Sequence, residues 1–235
     1  MKAVSRTHIG NVRPSNQDAL LSHPGIFGLY GVADGMGGHK AGDVASRMAV
    51  EVVIETLKDK IPDEALLRQG IEAANRRIYD TQLENDSLSG MGTTLTMIWE
   101  DKNRVLLGHV GDSRAYLLRS GDFRQISQDH SMVGQLVRDG LLTEEEARVH
   151  PYRNIITRAL GTDEDVDVDT LILDRLPGDI YLICSDGLSE YVRDEQMLKV
   201  LLSRSLQDAA DTLLQMALDG GGRDNISIVL AEVDA

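Results

Sequence analysis

The sequence predicts an α+β fold built in layers. Apolar runs with strand character follow one another across connections of hairpin length, which favours antiparallel pairing. Helical periodicity comes in two adjacent pairs, not as single helices alternating with single strands, so a parallel βαβ sheet is not expected. The 235 residues contain no repeat, low-complexity stretch or Pro/Ser-rich linker, and one domain over 1–235 is expected.

In chain order, residues 2–7 and 18–34 read as strands, the second group ending in IFGLYGVA at 26–33. From Gly42 the period changes. Val44, Ala45, Met48, Ala49, Val52, Val53 and Leu57 recur at helical spacing and predict a helix over about 42–58. Pro62 is expected in the first turn of a second helix whose buried face carries Leu66, Leu67, Ile71, Ala74 and Ile78. Strands follow at about 91–100, 103–110 and 113–119, joined by the short polar connections Asp101-Lys102 and Gly111-Asp112. Residues 127–165 are polar with short helical pieces, and a segment of that kind inside a compact domain is usually functional. Strands return at 166–173 and 179–185. Helices at about 194–203 and 207–218 precede a last strand after Asn225.

Composition narrows the function. With 24 Lys and Arg against 38 Asp and Glu the net charge is −14, which argues against nucleic-acid or anionic-membrane binding. A cationic partner, such as a metal ion, stays open. Aromatics are only 4%, so the core must be aliphatic. The single cysteine, Cys184, permits neither an internal disulfide nor a cysteine zinc cluster. No apolar run follows the first charged residues and none approaches 18 residues, so a soluble cytoplasmic protein is expected.

Four acids are placed unlike solvated surface residues. Asp34, Asp112 and Asp186 each follow an apolar strand and Asp224 precedes one, all with glycine nearby. Asp-Gly and Gly-Asp are also plain turn dipeptides, and spacing alone does not show that the four converge. If they do, their repulsion calls for a cation among them, and an all-oxygen carboxylate set suits Mg²⁺ or Mn²⁺. Two such ions about 3.5–4 Å apart activate a water for in-line attack on phosphorus. Arg13 is the kind of residue that forks onto phosphate oxygens, or an ordinary surface arginine.

Six segments, RPSNQD at 13–18, VADGMGG at 32–38, GMGTT at 90–94, VGDSR at 110–114, CSDGL at 184–188 and RDN at 223–225, resemble the metal-dependent protein serine/threonine phosphatases of type 2C (PPM) in their compact bacterial form. They occur in family order over nearly the whole chain. The resemblance implies a four-layer α-β-β-α sandwich, two antiparallel sheets flanked by helix pairs, here those at 42–84 and 194–218. It implies two to three Mn²⁺ or Mg²⁺ ions and hydrolysis of phosphoserine and phosphothreonine in proteins by a metal-bridged water. Asp34 would bridge two metals, Asp186 and Asp224 would complete the first site, and the Gly35 carbonyl would touch the second. Asp18 would hold metal-bound water, Asp112 with Asp186 would form a weaker third site, and Arg13 would bind substrate phosphate. Residues 127–165 would be a flap beside the cleft. Phosphoproteins, with a cognate Ser/Thr kinase, are the implied partners of a monomer.

Met36 stands where many eukaryotic members carry a histidine proposed as general acid, as in bacterial relatives. The proton donor is then His39 or a metal-bound water. Other chemistries fit less well. A cysteine phosphatase needs Arg six residues after the cysteine, and Glu190 stands there, so Cys184 reads as a buried strand residue. A calcium loop from Asp163 would need Gly at Val168 and Glu at Asp174, so the acids at 163, 165, 167 and 169 read as an exposed strand edge. A non-catalytic binding module on the same fold is expected to have lost a ligand, whereas Asp34, Asp186 and Asp224 are all present.

Overall fold

The computed structural model describes residues 1–37 and 41–234. Its elements are β1 (Lys2–His8), β2 (Asp18–His23), β3 (Leu29–Met36), α1 (Ala41–Leu57), α2 (Glu64–Glu84), β4 (Gly92–Thr93), β5 (Leu95–Glu100), β6 (Arg104–Val110), β7 (Arg114–Arg119), β8 (Asp122–Gln125), α3 (Met132–Arg138), α4 (Glu144–Arg148), β9 (Asp169–Asp174), β10 (Ile180–Cys184), α5 (Asp186–Ser189), α6 (Asp194–Ser203), α7 (Leu206–Gly220) and β11 (Ile226–Glu232). One sheet has the order β1-β11-β10-β7-β8, and the other β2-β3-β5-β6-β9 with β4 beside β3. All pairs are antiparallel.

Alternation along each strand sorts its side chains into layers. Tyr30, Val32, Ile98 and Leu107 meet Leu117, Tyr181, Ile183 and Val229 between the two sheets. The alternate residues Leu29, Ala33, Met97 and Trp99 pack outward under α1 and α2. Leu182, Cys184, Ile228 and Leu230 do the same under α6 and α7. The result is the expected α-β-β-α sandwich. Strands covered on both faces read as unbroken apolar runs, which is why β5 and β10 were visible in the sequence. Cys184 is fully buried in β10, as expected.

Several expectations need correction. The strand group 18–34 is two strands, β2 and β3, joined by residues 24–28. Pro62 lies before α2, not in its first turn, because the Asp63 carboxylate accepts from the N–H groups of Ala65 and Leu66 and starts the helix there. The expected strand 91–100 is interrupted at Thr94. The register is unchanged across the gap, Val32 opposite Thr96 and Gly35 opposite Thr93, but the Asp34 N–H goes to Thr94 Oγ1 (3.0 Å). Of the acid run only Asp169 lies in a strand. Residues 163–168 form no ladder, and the carbonyls of Asp163 and Glu164 accept from Asn75 Nδ2 on α2.

Candidate active site

The carboxylates gather at one end of both sheets. Asp18 on β2 lies opposite Asp34 on β3, so pairing of two strands sets two acids side by side. Asp112 follows β6 at the turn into β7, Asp186 opens α5 after β10, and Asp224 stands just before β11. Hydroxyls fix these ends. Ser185 Oγ donates to Asp18 Oδ2 (2.9 Å) and accepts from the Ser227 N–H (2.9 Å). Ser185 is the N-cap residue of α5, yet its side chain makes no capping bond, being turned to Asp18 instead. Thr94 Oγ1 and Ser113 Oγ lie 2.8 Å apart, linking the Asp34 and Asp112 segments.

Gly35 is needed where β3 meets α1. A Cβ there would overlap the Gly42 carbonyl oxygen and sit 2.5 Å from Gln17 O, so strand and helix backbones touch. Asn225 ties down the loop that carries Arg13. Its Nδ2 donates to Ile9 O and Ser15 O, and its Oδ1 accepts from the Gln17 N–H. Arg13 Nη2 then reaches Asp224 Oδ2 at 2.5 Å, with half of the arginine side chain still exposed.

The electrostatics report convergence. Burial, then the charges of Asp18, Asp186, Asp112 and Asp224, push the Asp34 carboxyl well above the ordinary range. Burial, then Asp112, Asp224 and Asp18, do the same to Asp186. Burial raises Asp18 to about 6. Burial and the charge of Asp129 raise Asp112 to about 7. Arg13 answers this field: its bond to Asp224 raises its pKa, with further contributions from Asp186 and Asp34.

Among the described residues no three acid, histidine or cysteine side chains form a ready metal cluster. Like charges this close call for a cation among them. The donors fit one. Asp18 Oδ1 and Asp186 Oδ1 are sealed from solvent without a hydrogen-bond partner, and every donor is a hard oxygen suited to Mg²⁺ or Mn²⁺. A cavity of about 300 Å³ opens beside Asp112 and Asp186, walled by α3, α4 and the start of α6.

The family model for Protein phosphatase 2C matches residues 6–220. The chain belongs to the protein phosphatase 2C family. It is 40% identical over 241 residues to a serine/threonine phosphatase, Stp, of Listeria welshimeri, covering 99% of this chain and 96% of that one. It is 41% identical over 237 residues to the serine/threonine protein phosphatase PstP of Mycobacterium tuberculosis, spanning 99% of this chain and 45% of that one. The crystal structure of that phosphatase matches with a TM-score of 0.92 at 40% identity over 100% of this chain and 99% of the other. A structure of the PstP catalytic domain in complex with two manganese ions matches with a TM-score of 0.90 at 38% identity, covering 100% of this chain and 98% of that one.

In this phosphatase-family chain, then, Asp18, Asp34, Gly35, Asp112, Asp186, Asp224 and Arg13 come together at one end of the sandwich. His39 lies outside the described residues. The hydroxyl scaffold of Thr94, Ser113, Ser185 and Ser227, and the loop anchor Asn225, were missed. For three of them a signal was present: DS, SD and DN set Ser113, Ser185 and Asn225 directly beside an acid.

Proposed function

We propose that the chain is a metal-dependent protein serine/threonine phosphatase, hydrolysing phosphoserine and phosphothreonine in proteins. The observation that carries this reading is a field of four buried aspartates, two with orphaned oxygens, and a part-exposed fifth, Asp224, paired with an arginine at the mouth. Asp34 would be shared by two cations, Asp186 and Asp224 would complete one site, and the Gly35 carbonyl would serve the other. Asp18 would hold metal-bound water. Asp112 with Asp186 offers a weaker third position. Two to three Mn²⁺ or Mg²⁺ ions, when bound, supply an activated water and neutralise the carboxylates.

Arg13 pairs with Asp224 and stands half exposed, and among the described residues that is its one ion pair, so its other donors can fork onto an incoming phosphate. Burial of the carboxylates excludes bulk water and keeps their field strong. The leaving serine or threonine oxygen takes its proton from solvent ordered by Asp112, or from His39. On this reading residues 1–235 are one catalytic domain, and about 127–165 form a flap beside the cleft. We further infer a monomer acting in bacterial cytoplasmic signalling against a cognate Ser/Thr kinase. Among the described residues no helix is long and apolar enough to cross a membrane.

The test is phosphate release from a phosphothreonine peptide and from an aryl phosphate, with Mn²⁺ and in chelator. Turnover in Mn²⁺ that chelator abolishes is expected. Turnover that ignores chelator overturns the metal role, and none on either substrate with Mn²⁺ present leaves a non-catalytic binding module.

A further inference from the structure

His130 is 4% exposed and stands where the chain leaves the sheets for the 126–168 crossover. It grips the turn before Asp112 twice. The His130 N–H donates to Gly111 O (2.7 Å), and the Gly111 N–H donates to His130 Nδ1 (3.0 Å). Since Nδ1 accepts, the ring proton resides on Nε2. Nε2 lies 3.1 Å from Asp169 Oδ2 at the start of β9. Arg158 Nη1 donates to the same carboxylate, 2.7 Å from Asp169 Oδ1. Burial keeps the ring below its ordinary pKa, which preserves the acceptor at Nδ1.

The ring is also braced from behind and from the far stem of the crossover. His109 packs on it with ring centres 4.7 Å apart, its Nε2 2.9 Å from Gln128 O. The Thr157 N–H donates to His130 O (2.8 Å). On the other side the turn has no slack. Gly111 takes φ 114°, and a Cβ there would lie 2.5 Å from Thr94 Cβ. The Asp112 turn is thus wedged between Thr94 and His130, and both stems of the crossover meet at that histidine.

We propose that His130, oriented by Asp169 and Arg158, is a positioning residue that fixes the Gly111–Asp112 turn and couples the placement of the crossover to the Asp112 carboxylate. The proposal rests on the role given to Asp112 above. His130 itself touches neither phosphate nor cation. Removing its ring leaves the buried Gly111 N–H without an acceptor, and the turn must move to find one.

The experiment is steady-state turnover of a phosphothreonine peptide and an aryl phosphate by the full chain in saturating Mn²⁺. His130→Ala should slow the peptide by about 10- to 100-fold, the usual scale for a residue that orients a ligand-bearing group, with a smaller effect on the aryl phosphate. His130→Asn keeps an acceptor for Gly111 and should recover most of the rate. In an Asp112→Ala background, His130→Ala should cost no more than about twofold further, because both act through one carboxylate. A full, additive loss in that background, or no rescue by Asn, overturns the proposal and leaves His130 a purely structural residue. If Asp112→Ala alone keeps the wild-type rate on the peptide, the role of Asp112 fails first and the proposal falls with it. Should His130→Ala not fold, Asp169→Asn, at a half-exposed side chain, carries the same non-additivity test.

Discussion

Strands β3 and β10 each join two regions of opposite character. Within β3, Val32 and Ala33 are fully buried in apolar layers, and the next residue is Asp34. In β10, Ile183 and Cys184 are equally buried, and Asp186 follows two residues later. The middle of the sandwich gains free energy from burial, about 1.5–3 kcal/mol for each large aliphatic side chain. Its end loses free energy, because buried carboxylates repel one another. The fold is stable in spite of its active site, and the same strands transmit the rigidity that keeps the acids together.

Replacing the central acid separates the two regions most sharply. Asp34→Asn should lower phosphate release by more than about 10³-fold, the upper scale for deleting one preorganised charge-stabilising group. In chelator the same variant should melt higher than wild type, by roughly 2–4 °C for each kcal/mol of repulsion relieved. A variant that is active, or less stable without metal, breaks the comparison. Ile183→Ala tests the other region. It should cost about 2–5 kcal/mol in urea unfolding while the folded enzyme keeps its kcat. Loss of kcat without loss of stability would mean that the core and the site are not distinct.

Arg13→Ala sits at the boundary. If Arg13 holds phosphate equally in ground and transition states, KM should rise with kcat little changed. A charge-assisted hydrogen bond of about 1.5–3 kcal/mol predicts a roughly 10- to 150-fold fall in kcat/KM. An unchanged value returns Arg13 to the surface.

The smallest effect is in pH. The folded Asp112 carboxyl, raised to about 7, binds a proton that the unfolded chain has already lost. Its stabilising contribution is complete below the ordinary carboxylate pKa, about 3.9, and is lost as pH rises through about 7. Metal-free protein should therefore melt higher at pH 7 than at pH 8.5, a window above the ordinary histidine pKa of about 6.5, below which His109 and His130, both depressed by burial, oppose the trend. Calorimetry in chelator should find that slope reduced in Asp112→Asn.

Most of this was legible in the residues. The α1–α2 pair announces itself because Ala45, Ala49, Val53 and Leu57, and Leu67, Ile71, Ala74 and Ile78, each face one way. The acids stand out because each interrupts apolar sequence beside glycine. Elements that are exposed or very short were not legible. Strand β8 has one large apolar residue, Phe123, in four, and α5 is a single turn. Nor does spacing reveal His130, whose partners Gly111 and Asp169 are 19 and 39 residues distant. Long-range hydrogen bonds have no period.

The lone thiol turns the protein into its own strain gauge. Cys184 is sealed in a central strand, two residues from Asp186, and burial pushes it up to about 12. Alkylation can therefore proceed only through excursions that part β10 from its neighbours. The modification rate becomes a clock for opening of the strand that leads into the active site. A cation that bridges Asp186 to residues on other strands should slow that clock. The slowing would measure, without any substrate, how firmly an ion staples the two sheets together.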